Sequence, residues 1–267
     1  MSGQRTITLA IANQKGGVAK TTTVASLGAA LAELGHSVLL VDLDPQACLT
    51  FSLGVDPEDL DLSVHHVLTK GLDATEVILA TDEGVDLMPA TIELARAEAD
   101  LLTRTGREHV IRSVIEQLSE GDAGYDWILL DCPPSLGVLT VAALTAADGV
   151  LIPLQCETLS HRGVGQLLDT VHDVRRFTNR DLEIWGVLPT MYDGRTNHSR
   201  TVLETISETY DLDVIEPPIP KTIKFAEAPA AGRSILATSR SSKGAKAYRE
   251  VAANLLARAN RPKRAKR

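Results

Sequence analysis

Short, almost uninterrupted apolar runs recur along the chain, separated by stretches in which apolar residues return every three or four positions. Residues 7–12, 38–41, 85–88, 127–130, 150–154 and 184–188 are the apolar runs. They read as strands covered on both faces. The helical stretches are residues 21–34, closed by Gly35, then 109–118, 138–146, 165–177, 201–210 and 244–259. Strand and helix in alternation predict an α/β domain: a mostly parallel sheet with right-handed crossovers and helices on both faces. No repeat, low-complexity tract or Pro/Gly/Ser linker divides the chain. One domain over residues 1–259 is expected, with a basic tail at 260–267.

The most informative segment lies where the first strand gives way to the first helix. It reads Ile11-Ala-Asn-Gln-Lys-Gly-Gly-Val-Ala-Lys-Thr-Thr22. A glycine-rich turn in that place points backbone N–H groups at one spot, and the N-terminus of the following helix adds its partial positive charge, which together make an anion cradle. Lys20 supplies a point charge for β- and γ-phosphates, and the Thr21 hydroxyl is placed to ligate Mg²⁺. The usual P-loop spacing fails at two positions, with Gln14 at the first glycine and Ala19 at the second. The segment instead follows the deviant Walker A form K-G-G-x-x-K-[ST], through Lys15, Gly16, Gly17, Lys20 and Thr21. Ala19 keeps the N–H donor but is strained if the turn demands positive φ.

Asp42 and Asp44 follow the second predicted strand, which sets both at the carboxyl edge of the sheet, where open α/β folds bind ligands. Asp131 ends the run Trp127-Ile-Leu-Leu-Asp131 and suits a Walker B role, holding Mg²⁺ directly or through a water.

With 267 residues, of which 3% are aromatic, the core must be built from Ala, Val, Leu and Ile. The three cysteines, Cys48, Cys132 and Cys156, are odd in number and form no CxxC, so neither a disulfide framework nor a zinc site is expected. None of the seven histidines makes an HExxH spacing, and His65-His66 is expected on a helix face. No apolar run reaches about 18 residues and no basic-then-apolar leader opens the chain, which predicts a soluble, cytoplasmic protein.

The net charge of −8 hides an asymmetry. Residues 1–220 hold 14 Lys/Arg against 33 Asp/Glu, while residues 221–267 hold 13 against 2. A basic C-terminal fifth on an acidic body favours a polyanionic partner. Residues 56–100 carry 12 acids against Lys70 and Arg96; they read as a solvated helical face or as a docking surface for a basic partner segment.

Taken with the loop, the stretches Val41-Asp-Leu-Asp-Pro-Gln46, Leu130-Asp-Cys-Pro-Pro-Ser-Leu136, Pro189-Thr-Met-Tyr-Asp-Gly-Arg-Thr196 and Ile219-Pro-Lys-Thr-Ile-Lys-Phe-Ala-Glu-Ala-Pro229 make the chain resemble the ParA/Soj partition ATPases of the MinD/ParA group. The resemblance spans almost the whole chain. It implies an ATPase that dimerises around ATP and Mg²⁺, binds double-stranded DNA without sequence preference and associates with the nucleoid. A ParB-like partner would stimulate hydrolysis as chromosomes or plasmids are partitioned.

In that reading Lys15 crosses to the partner subunit's ATP, Lys20 acts in its own subunit, and Asp44 orients the attacking water. Thr21, Asp42 and Asp131 support the metal. Gly16, Gly17, Val18, Ala19, Thr22, Gln46, Met191 and Pro218 fall among the nucleotide-contacting positions. Arg195, Lys221 and Lys224 fall where the family has basic DNA-contacting residues, with Lys224 standing where Arg is common. The chain begins almost at the loop, which leaves no room for the helix-turn-helix domain of longer plasmid relatives, so operator-specific binding is not expected.

Three other classes are weighed against this one. An ATP-dependent ligase activating a small carboxylate would use the same loop. A membrane-positioned ATPase similar to MinD needs large apolar residues on its C-terminal helix, where this chain offers Leu255 and Leu256 followed by small and basic residues. A nitrogenase-like iron protein needs two suitably placed cysteines, whereas Cys132 beside Pro133 reads as a small buried residue.

Overall fold

A computed structural model describes residues 5–120, 124–156, 160–195 and 197–260. Seven strands form one sheet in the order β3-β4-β2-β5-β1-β6-β7. They are β1 (Ile7–Ile11), β2 (Val38–Asp42), β3 (Leu79–Ala80), β4 (Asp86–Met88), β5 (Trp127–Asp131), β6 (Gly149–Gln155) and β7 (Glu183–Thr190). Every pairing is parallel except β3 with β4.

The continuous apolar runs are explained by cover on both sides, since alternate residues of each strand enter different cores. Leu9, Ile11, Leu40, Trp127 and Leu129 pack on one face, with α1 (Lys20–Glu33), α2 (Cys48–Ser52), α10 (Ile235–Thr238) and α11 (Lys243–Ala259). Ala10, Leu39, Val41, Ile128 and Leu130 pack on the other, against α3 (Val64–Lys70), α4 (Leu94–Leu102), α5 (Val110–Glu120), α6 (Val138–Ala146), α7 (Ser160–Phe177) and α8 (Asn197–Tyr210). A four-residue helix, α9 (Lys224–Glu227), completes the described α-helices, and four short 3₁₀ turns lie between the elements. No described helix is long and apolar enough to cross a membrane.

The expected fold class is the one observed, and most elements differ from expectation only at their ends. The exceptions are α2, α9 and α10, which were not foreseen, and the acidic segment 56–100, which around the expected strand at 85–88 forms α3, β3 and α4 instead of a continuous helical face. Its helices are too short for periodicity to declare them. His65 and His66 do lie on a helix, α3, where the His66 Nδ1 accepts the Ser63 N–H in a capping arrangement. Of the expected basic tail, residues 261–267 lie outside the described residues.

β1 is the pivot of this topology. From it the chain runs through α1 to β2 on one side, and later returns from β5 across it to β6 on the other. That reversal opens a crevice at the carboxyl ends of the strands. The register puts Ile11, Asp42 and Asp131 level with one another there.

Sheet closure on the β6–β7 side depends on the absence of a side chain at Gly149. The Trp185 indole, edge-on to Trp127 at 5.9 Å between ring centroids, lies over Gly149 so closely that a Cβ there would sit 2.7 Å from Cε2 and nearer still to two other ring atoms. Gly149→Ala is therefore expected to lower unfolding stability by about 2–3 kcal/mol through overpacking. It should appear as a reduced urea midpoint with an unchanged slope.

Candidate nucleotide site

The loop between β1 and α1 is held from both sides by side chains distant in sequence. Asn13 is buried; its Nδ2 donates to the Pro153 carbonyl at 2.8 Å and its Oδ1 accepts the Lys15 N–H at 3.0 Å. At the far end the Thr190 hydroxyl donates to the Val18 carbonyl at 3.0 Å. Gly17 and Ala19 both adopt left-handed backbone, with φ of 73° and 67°. Alternation of such residues with right-handed neighbours turns successive N–H groups toward one side, the concavity that binds anions. A Cβ on Gly16 would meet nothing within 4 Å, which leaves room for a ligand to approach the backbone.

Ala19 caps α1 without any side-chain bond to the first-turn N–H groups, so these remain to be satisfied by a ligand. The strain foreseen at this position is present.

Behind the loop the charges are tightly organised. Lys20 is buried, and its Nζ donates to the Lys15 carbonyl at 3.4 Å. Burial lowers its pKa, while Asp131 and, more weakly, Cys132 and Asp44 act in the opposite direction. Asp42 is wholly buried. Its Oδ2 accepts both the Thr50 N–H at 2.9 Å and the Thr50 hydroxyl at 2.7 Å, and its Oδ1 accepts the Asp44 N–H at 3.1 Å. Desolvation nevertheless pushes its pKa up to about 6.

Asp131 differs sharply from Asp42. It is equally buried, but neither carboxylate oxygen has a hydrogen-bond partner at normal distance among the described residues. Burial first, and the neighbouring Asp42 second, raise its pKa well above the carboxylate range, against the Thr21 hydroxyl and the Lys20 ammonium. An uncompensated buried carboxylate is costly unless a cation faces it.

The donors here, Thr21 and Asp131, are hard oxygens suited to Mg²⁺, which typically takes one or two carboxylates and completes its shell with phosphate oxygens and waters. Among the described residues no cluster of three or more His, Cys, Asp or Glu forms a metal cage. Asp42, expected to support the metal, has both oxygens hydrogen-bonded within the protein, Oδ1 by a single N–H. It fixes the turn that presents Asp44, whose own Oδ1 accepts the Gln46 N–H at 3.0 Å.

In front of the loop lies a cavity of about 1010 Å³. Gly16, Gly17, Ala19, Lys20, Thr21, Thr22, Asp44, Gln46 and Met191 line it, as the sequence led one to expect, and so does Lys221, which was expected to contact DNA instead. Val18 does not; its side chain is core and only its carbonyl serves the loop. Lys15, Asp42, Asp131 and Pro218 are also outside the lining. Among the contributors that escaped sequence reasoning are Asn13, Thr190, Phe225 and Tyr248. Their partners are far along the chain, and no local spacing announces them.

Of the expected DNA-contacting residues, Lys221 lines the cavity, while Arg195 and Lys224 lie on segments next to it in sequence or hydrogen bonding. The Tyr192 N–H donates to the Ile219 carbonyl at 2.9 Å and the Lys221 N–H to the Tyr192 carbonyl at 3.3 Å, which stitches the loop bearing Arg195 to the segment bearing Lys221 and Lys224. The Arg195 side chain is 95% exposed, with Asp193 at 3.8 Å. Lys224 pairs with Glu227 at 2.8 Å.

A sheet switch point, a glycine-rich loop opening a helix, a buried lysine and an unpartnered strand-end aspartate define a P-loop nucleotide site. Comparison with known proteins agrees. A family described as AAA domain matches residues 6–184. The sporulation initiation inhibitor protein Soj of Bacillus subtilis is 45% identical over 251 residues, covering 92% of this chain and 98% of Soj. The chromosome partitioning protein ParA of Caulobacter vibrioides is 38% identical over 259 residues, 97% of each chain.

A crystal structure described as cobyrinic acid a,c-diamide synthase from Mycobacterium smegmatis, with bound ADP and magnesium, superposes with a TM-score of 0.84 at 55% identity, covering 94% of both chains. A second structure of that protein holds an ATP analogue and magnesium. The chain belongs to the ParA/Soj family of P-loop ATPases, within the MinD/ParA group.

Two outcomes follow from the strain and the burial. Ala19→Gly should raise stability by about 0.5–1 kcal/mol, the left-handed penalty less the added freedom of the unfolded chain, measured by urea unfolding without nucleotide. For Asp131 the folded pKa exceeds the unfolded one, so its cost is absent below about pH 4, where both states are protonated, and grows as pH rises and the unfolded chain ionises more readily. The melting-temperature difference between Asp131→Asn and the parent protein, without nucleotide and Mg²⁺, should move in the variant's favour as pH increases. A difference independent of pH would show that the carboxylate carries no such cost.

Proposed function

We propose that this protein is a partition ATPase that closes around ATP and Mg²⁺ as a homodimer, grips double-stranded DNA non-specifically in that state, and is stimulated by a ParB-like partner. The observation that carries the reading is the juxtaposition of the buried Lys20 with the unpartnered Asp131 directly behind an anion cradle. Phosphoryl transfer demands positioning and charge neutralisation more than covalent chemistry from the protein.

Lys20 and the loop N–H groups would hold the β- and γ-phosphates; Thr21 and Asp131 would hold Mg²⁺, which supplies electrostatic stabilisation when bound. Asp44, half-exposed at the cavity and fixed by Asp42 and Gln46, would orient the attacking water. Gln46 and Met191 line the space left for the rest of the nucleotide. Lys15, whose N–H is held by Asn13, would reach toward the second subunit. Arg195, Lys221 and Lys224, on segments joined through the Tyr192 backbone bonds, would contact DNA phosphates, so that affinity arises from counterion release without base reading. Such a protein works in the cytoplasm, on the nucleoid.

A second reading, an ATP-dependent amide synthase, is favoured by the name carried by the M. smegmatis protein. Against it, burial holds all three thiols toward the neutral form, Cys132 and Cys156 most strongly, so none is primed as a nucleophile to release an amide nitrogen. The cavity walls beyond the loop are largely apolar, formed by Phe51, Ile219, Ile223 and Phe225.

Binding to unrelated duplexes, measured with ATP, ADP and no nucleotide, separates the readings. Salt-sensitive binding in ATP alone is expected, with Arg195→Ala and Lys224→Ala each lowering the log–log salt slope by about one. Equal binding in all three states would overturn the DNA reading, and hydrolysis that depends on a small carboxylic acid would establish the synthase. Asp44→Ala should accumulate the ATP dimer with turnover reduced by at least about tenfold; normal turnover would remove Asp44 from its role.

A further inference from the structure

Thr23, Tyr248 and Phe225 form a junction that phosphate chemistry by itself does not require. Thr23 is wholly buried in the first turn of α1; its N–H donates to the carbonyl of the strained Ala19 at 2.9 Å, and its hydroxyl lies 3.0 Å from that of Tyr248. Tyr248, on α11, is also fully buried, and its ring meets Phe225 edge-on at 5.8 Å between centroids. Phe225 directly follows Lys224 on α9. The same ring packs against Gly244, one turn before Tyr248 on α11, where a Cβ would fall 2.7 Å from the Phe225 Cζ and 3.0 Å from the Ile235 Cδ1, so the ring lies tight against that helix. Tyr248 and Phe225 both line the nucleotide cavity, as does Lys221.

Three segments remote in sequence thus meet at two hydroxyls and two rings: the phosphate-binding turn, the C-terminal helix and the basic rim. A hydrogen bond between two fully buried hydroxyls is expensive to leave unmade, and rings packed at interior density pass on a displacement instead of absorbing it. Such a junction would convey movement of the Ala19–Thr23 turn to Phe225, and with it to the adjoining Lys224 and the segment bearing Lys221.

We propose that Tyr248 is a positioning residue that transmits occupancy of the phosphate loop to the rim bearing Lys221 and Lys224, coupling the bound nucleotide to the affinity for DNA. The inference rests on the DNA-binding reading given above. Tyr248→Phe keeps the ring and removes the hydroxyl; Thr23→Val removes the other half of the bond.

The experiment measures duplex affinity in ATP and in ADP for the parent protein, both single variants and the double variant, alongside melting temperature without nucleotide. Each single variant should reduce the ATP-to-ADP affinity ratio by about fivefold or more, a typical size for coupling between sites. The double variant should lose no more than either single one, since both break the same bond. A parent ratio near one would overturn the DNA reading itself. A large parent ratio that survives in the variants, even with lowered melting temperatures, would overturn only the positioning role and mark the pair as structural.

Discussion

A buried carboxylate with no hydrogen-bond partner at normal distance among the described residues sets the terms for the rest of this molecule. Asp42 and Asp131 end adjacent parallel strands in register, so the sheet itself forces two acids together in a water-poor place. One is satisfied by Thr50 and the Asp44 N–H; the other is left facing the Thr21 hydroxyl and the Lys20 ammonium. A protein selected for stability alone would not keep such a group, because an apolar residue of similar volume would be cheaper. Its retention makes sense where a dication and a polyphosphate complete the balance, and the left-handed loop in front of it offers the N–H groups that the polyphosphate needs.

The two tethers of the loop give this arrangement its shape. Asn13 ties it to β6 and Thr190 ties it to the end of β7, so the cradle is stretched between strands that lie on the opposite side of β1 from Asp42 and Asp131. Cations come from α1 and anions from β2 and β5, and β1 sets the separation between them. The apolar strands are thus more than filler: their alternate packing into two cores holds the geometry of the charges.

Much of this was legible beforehand, for identifiable reasons. Strands covered on both faces announce themselves as unbroken apolar runs, and α6 was bounded to the residue because its apolar positions begin after Gly137 and end before Asp148. The loop and the strand-end acids were legible because their chemistry is local. What stayed hidden was non-local. Asn13 meets Pro153 across 140 residues and Thr23 meets Tyr248 across 225, and neither partner has a distinctive neighbourhood. The charge count of the C-terminal fifth was right as arithmetic yet overstated as a surface, since Arg249 pairs with Glu33, Arg258 with Asp213 and Arg233 with Asp82. The first two of those pairs clasp the last helix to the body and the third ties down the segment before α10, and composition alone cannot register such neutralisation.

The suspension of the loop between distant strands also bears on how this fold could have arisen or be cut down. A short peptide holding β1, the glycine turn and α1 carries the letters of the motif, but it has neither Pro153 nor Thr190 to hang from. The capacity to hold a nucleotide is therefore a property of the assembled sheet, and no excerpt from it inherits that capacity.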